Sequence, residues 1–292
     1  MATFAKKSFN AASYAAARPT YPSKLYEIIL KYHRGPKEQC LDLGCGHGVV
    51  ARQFGSNFSK FLGTDPSEGM IEQARKLTPK TEYPFADFRA GFAEDDVPLP
   101  SGSIDMVTAA QACHWFDQSR LFPLLRDKVR QGGTLAFWGY KDHAFVDYPK
   151  STAILDSYTY GDDKDTMGPY WPKGRDILHD QLRAVRPPEN DWEDIQRIEY
   201  EPGKKGKNSG EGTLLLGKRM KVGECKEYMR TWSSFHGWQE THPGAVARSK
   251  GGEGDVVDEV FDKMSKEDEI MGNEDSEIEV EWGSAIILAR RK

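Results

Sequence analysis

Cysteine is scarce. The four residues, at 40, 45, 113 and 225, show neither the paired spacing of a metal clasp nor that of a disulfide framework. They read as free thiols of a reducing compartment, so a cytoplasmic location is expected. The seven histidines are scattered, with no H-x-x-x-H spacing, and no metal site is expected. No apolar run approaches the roughly 18 residues that a membrane helix needs. The segment MATFAKKSFN lacks the apolar stretch of a signal peptide, so no membrane partner is expected. Basic runs are missing too. With 40 Lys and Arg against 45 Asp and Glu, the formal charge of −5 speaks against a nucleic acid partner.

What is present is the composition of a globular enzyme or binding module. Hydrophobic residues make up 38% of the 292, enough for a sizeable core without covalent staples. The acid is concentrated late: residues 251–282 hold 13 acids against two bases and read as a solvated helix and loop.

Strand and helix signals alternate through the first half. Residues 24–33 carry apolar side chains at helical spacing, and 39–43 (QCLDL) form a short buried strand. A helix over 48–55, a strand over 60–64 and a helix over 67–77 with Ser67 as its N-cap follow. Residues 85–92 read as extended, 104–110 as a third apolar strand and 117–130 as a helix, and Gly132 and Gly133 turn the chain into a strand over 134–139. This alternation predicts a parallel sheet with helices on both faces. Beyond residue 140 the pattern loosens. Residues 141–175 read as an irregular insertion, 192–200 as a strand, 202–212 as a flexible loop, 220–235 as a helix and 277–290 as a final strand or hairpin. The late segments are expected to complete the same sheet, giving one domain over 1–292.

The most informative segment is CLDLGCGHG at 40–48. A buried strand carries Asp42, and Gly44, Gly46 and Gly48 follow before a helix. Glycine lets the backbone turn tightly and approach a ligand. Open α/β sheets bind ligands at the carboxyl ends of their strands. The spacing is G-x-G-x-G, not the G-x-G-x-x-G of dinucleotide binders. Asp65 ends the next strand, where a carboxylate can accept from both hydroxyls of a ribose. A purely structural glycine turn is the alternative.

These residues resemble the class I S-adenosylmethionine-dependent methyltransferases. L-D-L-G-C-G-H-G at 41–48 matches the family's first motif and Asp65 in FLGTDPS its second acid. Ala93 and Glu94 in GFAEDDVPL match the small residue and acid that contact adenine, and Gln111 and Ala112 in TAAQACHWF match the feature after the next strand. The resemblance covers roughly 35–140. It implies S-adenosyl-L-methionine as cofactor and a Rossmann-like, seven-stranded, mostly parallel sheet whose insertions cap the active site. It gives His47 no catalytic role. Within the single domain it implies an arm and helix over 1–34 that close the cofactor site, a cofactor core over 35–140, and sheet completion with a substrate cap over 141–292.

Further segments are similar to the fungal trans-aconitate 3-methyltransferase group: FNAASYAAARPTYP at 9–22, CHWF at 113–116, FWGY at 137–140, GPYWP at 168–172 and RTWSSFHGW at 230–238. That group methylates carboxylates of small molecules, which implies an anionic small-molecule substrate. Tyr14 and Arg18 are then expected to face the cofactor, unless Arg18 merely anchors the arm. A carboxylate is ionised at neutral pH and needs no base, only guanidinium forks and hydrogen-bond donors. Arg18, Arg175 and Arg230 are the candidates to hold it, with His114 and His236 in support and Trp115, Tyr140 and Trp171 as walls. Arg230 and Ser234, four apart, would share a helix face. His114 is a satisfied structural histidine, a binding group, or the base if the acceptor is a hydroxyl or thiol. A regulatory S-adenosylmethionine-binding protein without turnover is a further alternative. No N-P-P-Y-like tetrapeptide stands where CHWF does, which disfavours nucleic acid methylation. Nothing suggests an oligomer seam, and a monomer is expected.

Overall fold

The structure is a computed structural model, and it describes residues 20–292. Helix α1 (Ser23–Tyr32) buries Leu25, Tyr26, Ile29 and Tyr32 on one face. The Tyr26 ring stacks on Phe54 and meets Trp138 edge-on. Strand β1 (Gln39–Leu43) is buried along its whole length, as a central parallel strand must be. Helix α2 (Val49–Phe54), strand β2 (Lys60–Asp65) and helix α3 (Glu68–Leu77) follow. The Ser67 hydroxyl caps α3 by accepting from the Met70 amide at 3.3 Å. Next come β3 (Ala86–Ala90), β4 (Ile104–Ala110) and α4 (Gln118–Lys128), the last capped by Asp117. The second half holds β5 (Val129–Phe145), α5 (Pro149–Tyr160), α6 (Arg175–His179), β6 (Trp192–Glu201), β7 (Glu211–Gly212), β8 (Gly217–Lys221), α7 (Val222–Met229), α8 (Ser233–Thr241), α9 (Val256–Glu267) and β9 (Glu277–Arg291).

The sheet runs β3-β2-β1-β4-β5-β9-β6-β7, with β8 pairing β9 off that path. The five strands from β3 to β5 are parallel, and β9 enters antiparallel between β5 and β6. The mostly parallel α/β sheet is therefore as expected. Nine strands stand among the described residues instead of seven, the additions being the short β7 and β8. Alternate residues of each strand feed two apolar cores. Ala136, Trp138, Ile286 and Leu288 enter one, while Leu135, Phe137, Ile287 and Ala289 enter the other.

Three expectations change. Residues 141–175 are not simply irregular: β5 continues to Phe145 and α5 follows. The helix expected over 220–235 breaks between Met229 and Ser233, where Trp232 is extended at φ −70°, ψ 144°. The acidic stretch is not a wholly solvated surface. Helix α9 buries Val256, Val257, Val260, Phe261 and Met264, so its acids occupy only part of its circumference.

The N-cap Asp255 and Asp258 of α9 are buried, and they answer for Arg230. Its guanidinium donates to Asp255 through Nε at 2.7 Å and Nη2 at 3.0 Å, and Nη2 lies 3.0 Å from Asp258 Oδ2. Lys226 Nζ lies 2.9 Å from Asp258 Oδ1. Burial alone would raise the Asp258 carboxyl, but the Arg248 amide, Lys226 and Arg230 outweigh it and hold it well below the usual carboxylate range. No helix among the described residues is long and apolar enough to cross a membrane.

Candidate active site

The ends of β1, β2, β4 and β5 open onto a cavity of about 320 Å³. Gly44 and Gly46 form its floor, both left-handed, at φ 65° and 52°. A Cβ on Gly44 would come within 2.5 Å of the Ala112 Cβ, so the β1 and β4 loops approach as closely as they do only because that side chain is missing. A Cβ on Gly46 would meet nothing within 4 Å, because that face opens into free space.

Asp65 at the end of β2 locks the loop and lines the cavity. Its Oδ2 accepts from the Gly46 amide at 3.0 Å and its Oδ1 from the Ser67 amide at 2.9 Å. Burial raises its pKa while those two amides pull it back. Each oxygen retains lone-pair capacity toward the cavity. Ala93, Glu94, Gln111 and Ala112 line it as well. Glu94 Oε1 also accepts from the Asp117 amide at 2.6 Å, which ties the β3 loop to the cap of α4. The Gln111 side chain clamps β5 by donating to the Tyr140 carbonyl at 2.8 Å and accepting from the Tyr140 amide at 2.7 Å. The Gln111 backbone is left-handed, at φ 54°, and its amide donates to the Trp138 carbonyl at 2.8 Å.

Asp42 and Gly48 do not line the cavity. Asp42 lies fully buried beneath the loop, accepting from the Thr108 hydroxyl at 2.7 Å, while its Oδ2 has no partner among the described residues. Burial pushes its carboxyl up to about 7, against the Thr108 hydrogen bond and with help from nearby Asp65. Gly48 instead permits packing under the loop, where its Cβ would come 3.1 Å from Phe88 and Thr78. Tyr14 and Arg18 lie outside the described residues. His47 lines the cavity with its pKa lowered to about 4 by burial and by Arg52.

A second pocket lies beside the first, and Gln111, Trp115 and Tyr140 line both. His114, Trp171 and Arg175 line it. Arg175 pairs with Asp142 and lies over the Trp171 ring, 4.1 Å from its centroid. The Tyr160 hydroxyl donates to the other Asp142 oxygen. Gly174, at φ 98°, lets the chain leading into α6 press against the His114 carbonyl, which a Cβ would meet at 2.7 Å. Arg230 and His236 are not among the lining residues. The broken helix sends Arg230 into the buried ion cluster with Asp255 and Asp258, and His236 packs beside Phe235.

Lys141, Asp142, Leu178, Tyr228, Trp232 and Ser233 complete the pocket. Asp142 was missed although it follows Tyr140 at strand period, because residues beyond 140 read as irregular. Phe92, an exposed aromatic that lines the first cavity, was a second missed signal. Buried His143 backs the Tyr228 and Trp232 wall with ring contacts of 5.6 and 5.9 Å, and its Nε2 lies 3.3 Å from Cys225 Sγ.

Residues 41–137 match the family described as "Methyltransferase domain". The chain is 29% identical to the "Probable S-adenosylmethionine-dependent methyltransferase CRG1" of Saccharomyces cerevisiae, over 99% of this chain and 98% of that one. It is 25% identical to methyltransferase pgmE of Aspergillus terreus, over 95% and 92% of the two chains. The solved "Putative Type II Methyltransferase" from Anaeromyxobacter dehalogenans has 25% identity and a TM-score of 0.66, covering 94% of this chain and 97% of that one. The strand order, the glycine loop and Asp65 accord with these likenesses, which make the chain similar to S-adenosylmethionine-dependent methyltransferases. The cavity would fit S-adenosylmethionine: open space faces Gly46, Asp65 offers acceptors for a ribose, and Phe92, Ala93 and Phe116 offer apolar surface for a base.

Proposed function

We propose that the chain methylates a carboxylate oxygen of a small acid held in the second pocket by Arg175. The observation that carries this reading is Arg175, whose Nε is buried and without a hydrogen-bond partner among the described residues, and which lines a pocket sharing Gln111, Trp115 and Tyr140 with the first cavity. One guanidinium arm is committed to Asp142, and Nε remains to donate to an incoming carboxylate. S-adenosylmethionine supplies a methyl group already activated on a sulfonium. The work of the chain is alignment: Arg175 orients the acid, and Trp115, Trp171 and Trp232 fix its plane and exclude water. The new O–C bond forms as the C–S bond breaks, the product is a methyl ester, and no proton moves.

The similarity to the fungal trans-aconitate 3-methyltransferase group supports an acid acceptor. With Arg230 committed to Asp255 and Asp258, a triacid would find fewer guanidiniums than that similarity implies. A second reading, a hydroxyl or thiol acceptor with His114 as base, is favoured by the place of His114 on the same wall, 5% exposed.

Mass spectrometry of reactions with mono-, di- and tricarboxylates, trans-aconitate included, and with phenols and thiols tests the reading. A single methyl gain on an acid is expected, with kcat/KM about 100-fold lower in Arg175→Met, the upper scale of one lost charge-assisted hydrogen bond. Methylation of phenols or thiols alone, falling in mild acid and abolished by His114→Ala, would favour the second reading. Cofactor binding with no turnover on any acceptor would favour a regulatory role.

A further inference from the structure

We propose that the N-terminus of α8 is a second carboxylate seat in the acceptor pocket, so that the substrate is a dicarboxylate. This rests on the acid-acceptor reading above and narrows it. Ser233 opens the nine-residue α8 and lines the same pocket as Arg175 and His114. It is 6% exposed, and its hydroxyl has no hydrogen-bond partner among the described residues. The N-cap residue Trp232 supplies no side-chain cap. The amides of Ser233, Ser234 and Phe235 therefore have no acceptor from within the helix. The Ser234 hydroxyl behind them is fully buried and also without a partner.

A buried helix start with an uncapped first turn and a free hydroxyl in a pocket is a set of donors awaiting an anion. The helix dipole adds about half a positive charge there. The full charges around the pocket are already paired within the protein: Lys141 with Glu201 at 2.7 Å, and Arg175 with Asp142. What the pocket has to spare is two separate donor groups, Arg175 Nε and the start of α8. Two donor groups with no spare full charge suit two carboxylates better than one carboxylate or three. The carboxylate on Arg175 takes the methyl group, and the one on α8 fixes which end of the acid faces the cofactor.

The test is calorimetry on the protein saturated with S-adenosylhomocysteine. Succinate, glutarate and adipate are each titrated against the monocarboxylate of the same chain length. At least one diacid should bind about tenfold or more tightly than its monoacid, the scale of 1.4 kcal/mol. Ser233→Asp, which a helix start tolerates, should erase that preference, weakening each diacid at least about fivefold more than the monoacid of the same length. Ser233→Ala should lose part of it. Melting temperature and S-adenosylhomocysteine affinity should match wild type in both variants, which excludes misfolding. Monoacids bound and methylated with no diacid preference, or equal loss of both classes in Ser233→Asp, would overturn this inference alone. Wild-type protein that binds neither class yet methylates a phenol or thiol would overturn the acid-acceptor reading as well.

Discussion

Replacing Asp65 is the sharpest perturbation of the cofactor site. Its two oxygens each accept one backbone amide, from Gly46 at 3.0 Å and from Ser67 at 2.9 Å, and face the cavity with the remaining lone pairs. Hydrogen bonds to a charged group contribute about 1.5–3 kcal/mol each. Two ribose hydroxyls would gross about 3–6 kcal/mol, but water can enter the space an alanine leaves, so about 3 kcal/mol is the expected net loss. That corresponds to roughly 100-fold weaker cofactor binding. Asp65→Asn keeps one acceptor oxygen and should lose about tenfold. Calorimetric titration with S-adenosylhomocysteine reads both variants, and melting curves report whether the loop still folds. Asp87→Ala is the control: Asp87 lies on β3, 71% exposed and paired with Lys80, and its loss should change nothing. If Asp65→Ala folds normally and binds S-adenosylhomocysteine within about threefold of wild type, the assignment of Asp65 to the ribose is wrong.

Two further outcomes concern stability. Arg230→Met strands Asp255 and Asp258 in the interior and should cost about 3–5 kcal/mol, read as a fall in melting temperature of roughly 10 °C; a change under about 2 °C would refute the structural role given to Arg230. The second is a pH effect. Asp42, its carboxyl pushed up to about 7, keeps its proton in the folded protein where the unfolded chain has already released it. Its contribution therefore falls as pH rises from about 4 to about 7 and is flat above, the reverse of the depressed Asp258, whose contribution is lost toward acid. Asp42→Asn should flatten the decline of melting temperature between pH 4 and 7, and an unchanged pH profile would contradict the buried carboxyl.

The cofactor half of the molecule was legible because its signals are local. A buried strand, three glycines and an acid at the next strand end lie within 26 residues of chain, and the positive φ of Gly44 and Gly46 is what such spacing predicts. The acceptor pocket was legible only in part. Trp115, Trp171 and Arg175 stand beside motifs that mark a loop near a strand end, and they do converge. Arg230 misled because its helical spacing with Ser234 presumed an unbroken helix, and the break at Trp232 rotates the two apart. The same break is what brings the Ser233 start of α8 to the pocket, a consequence no periodicity could reveal. The acids of 251–282 were read by count, whereas their partners Lys226 and Arg230 lie some 30 residues upstream, out of reach of any local pattern.

The antiparallel β9 has a kinetic meaning. Ile286 pairs Trp138 in the middle of the sheet, about 150 residues apart in sequence. A ribosome adding roughly 5–20 residues per second leaves the β5 edge open for about 10–30 s before its neighbour is made. Throughout that interval a row of unpaired amides and carbonyls flanks Phe137 and Trp138, the kind of edge that recruits other chains. Assembly of this sheet is therefore a late, long-range event, and the nascent chain's exposure to aggregation is set by how soon β9 emerges to seal it.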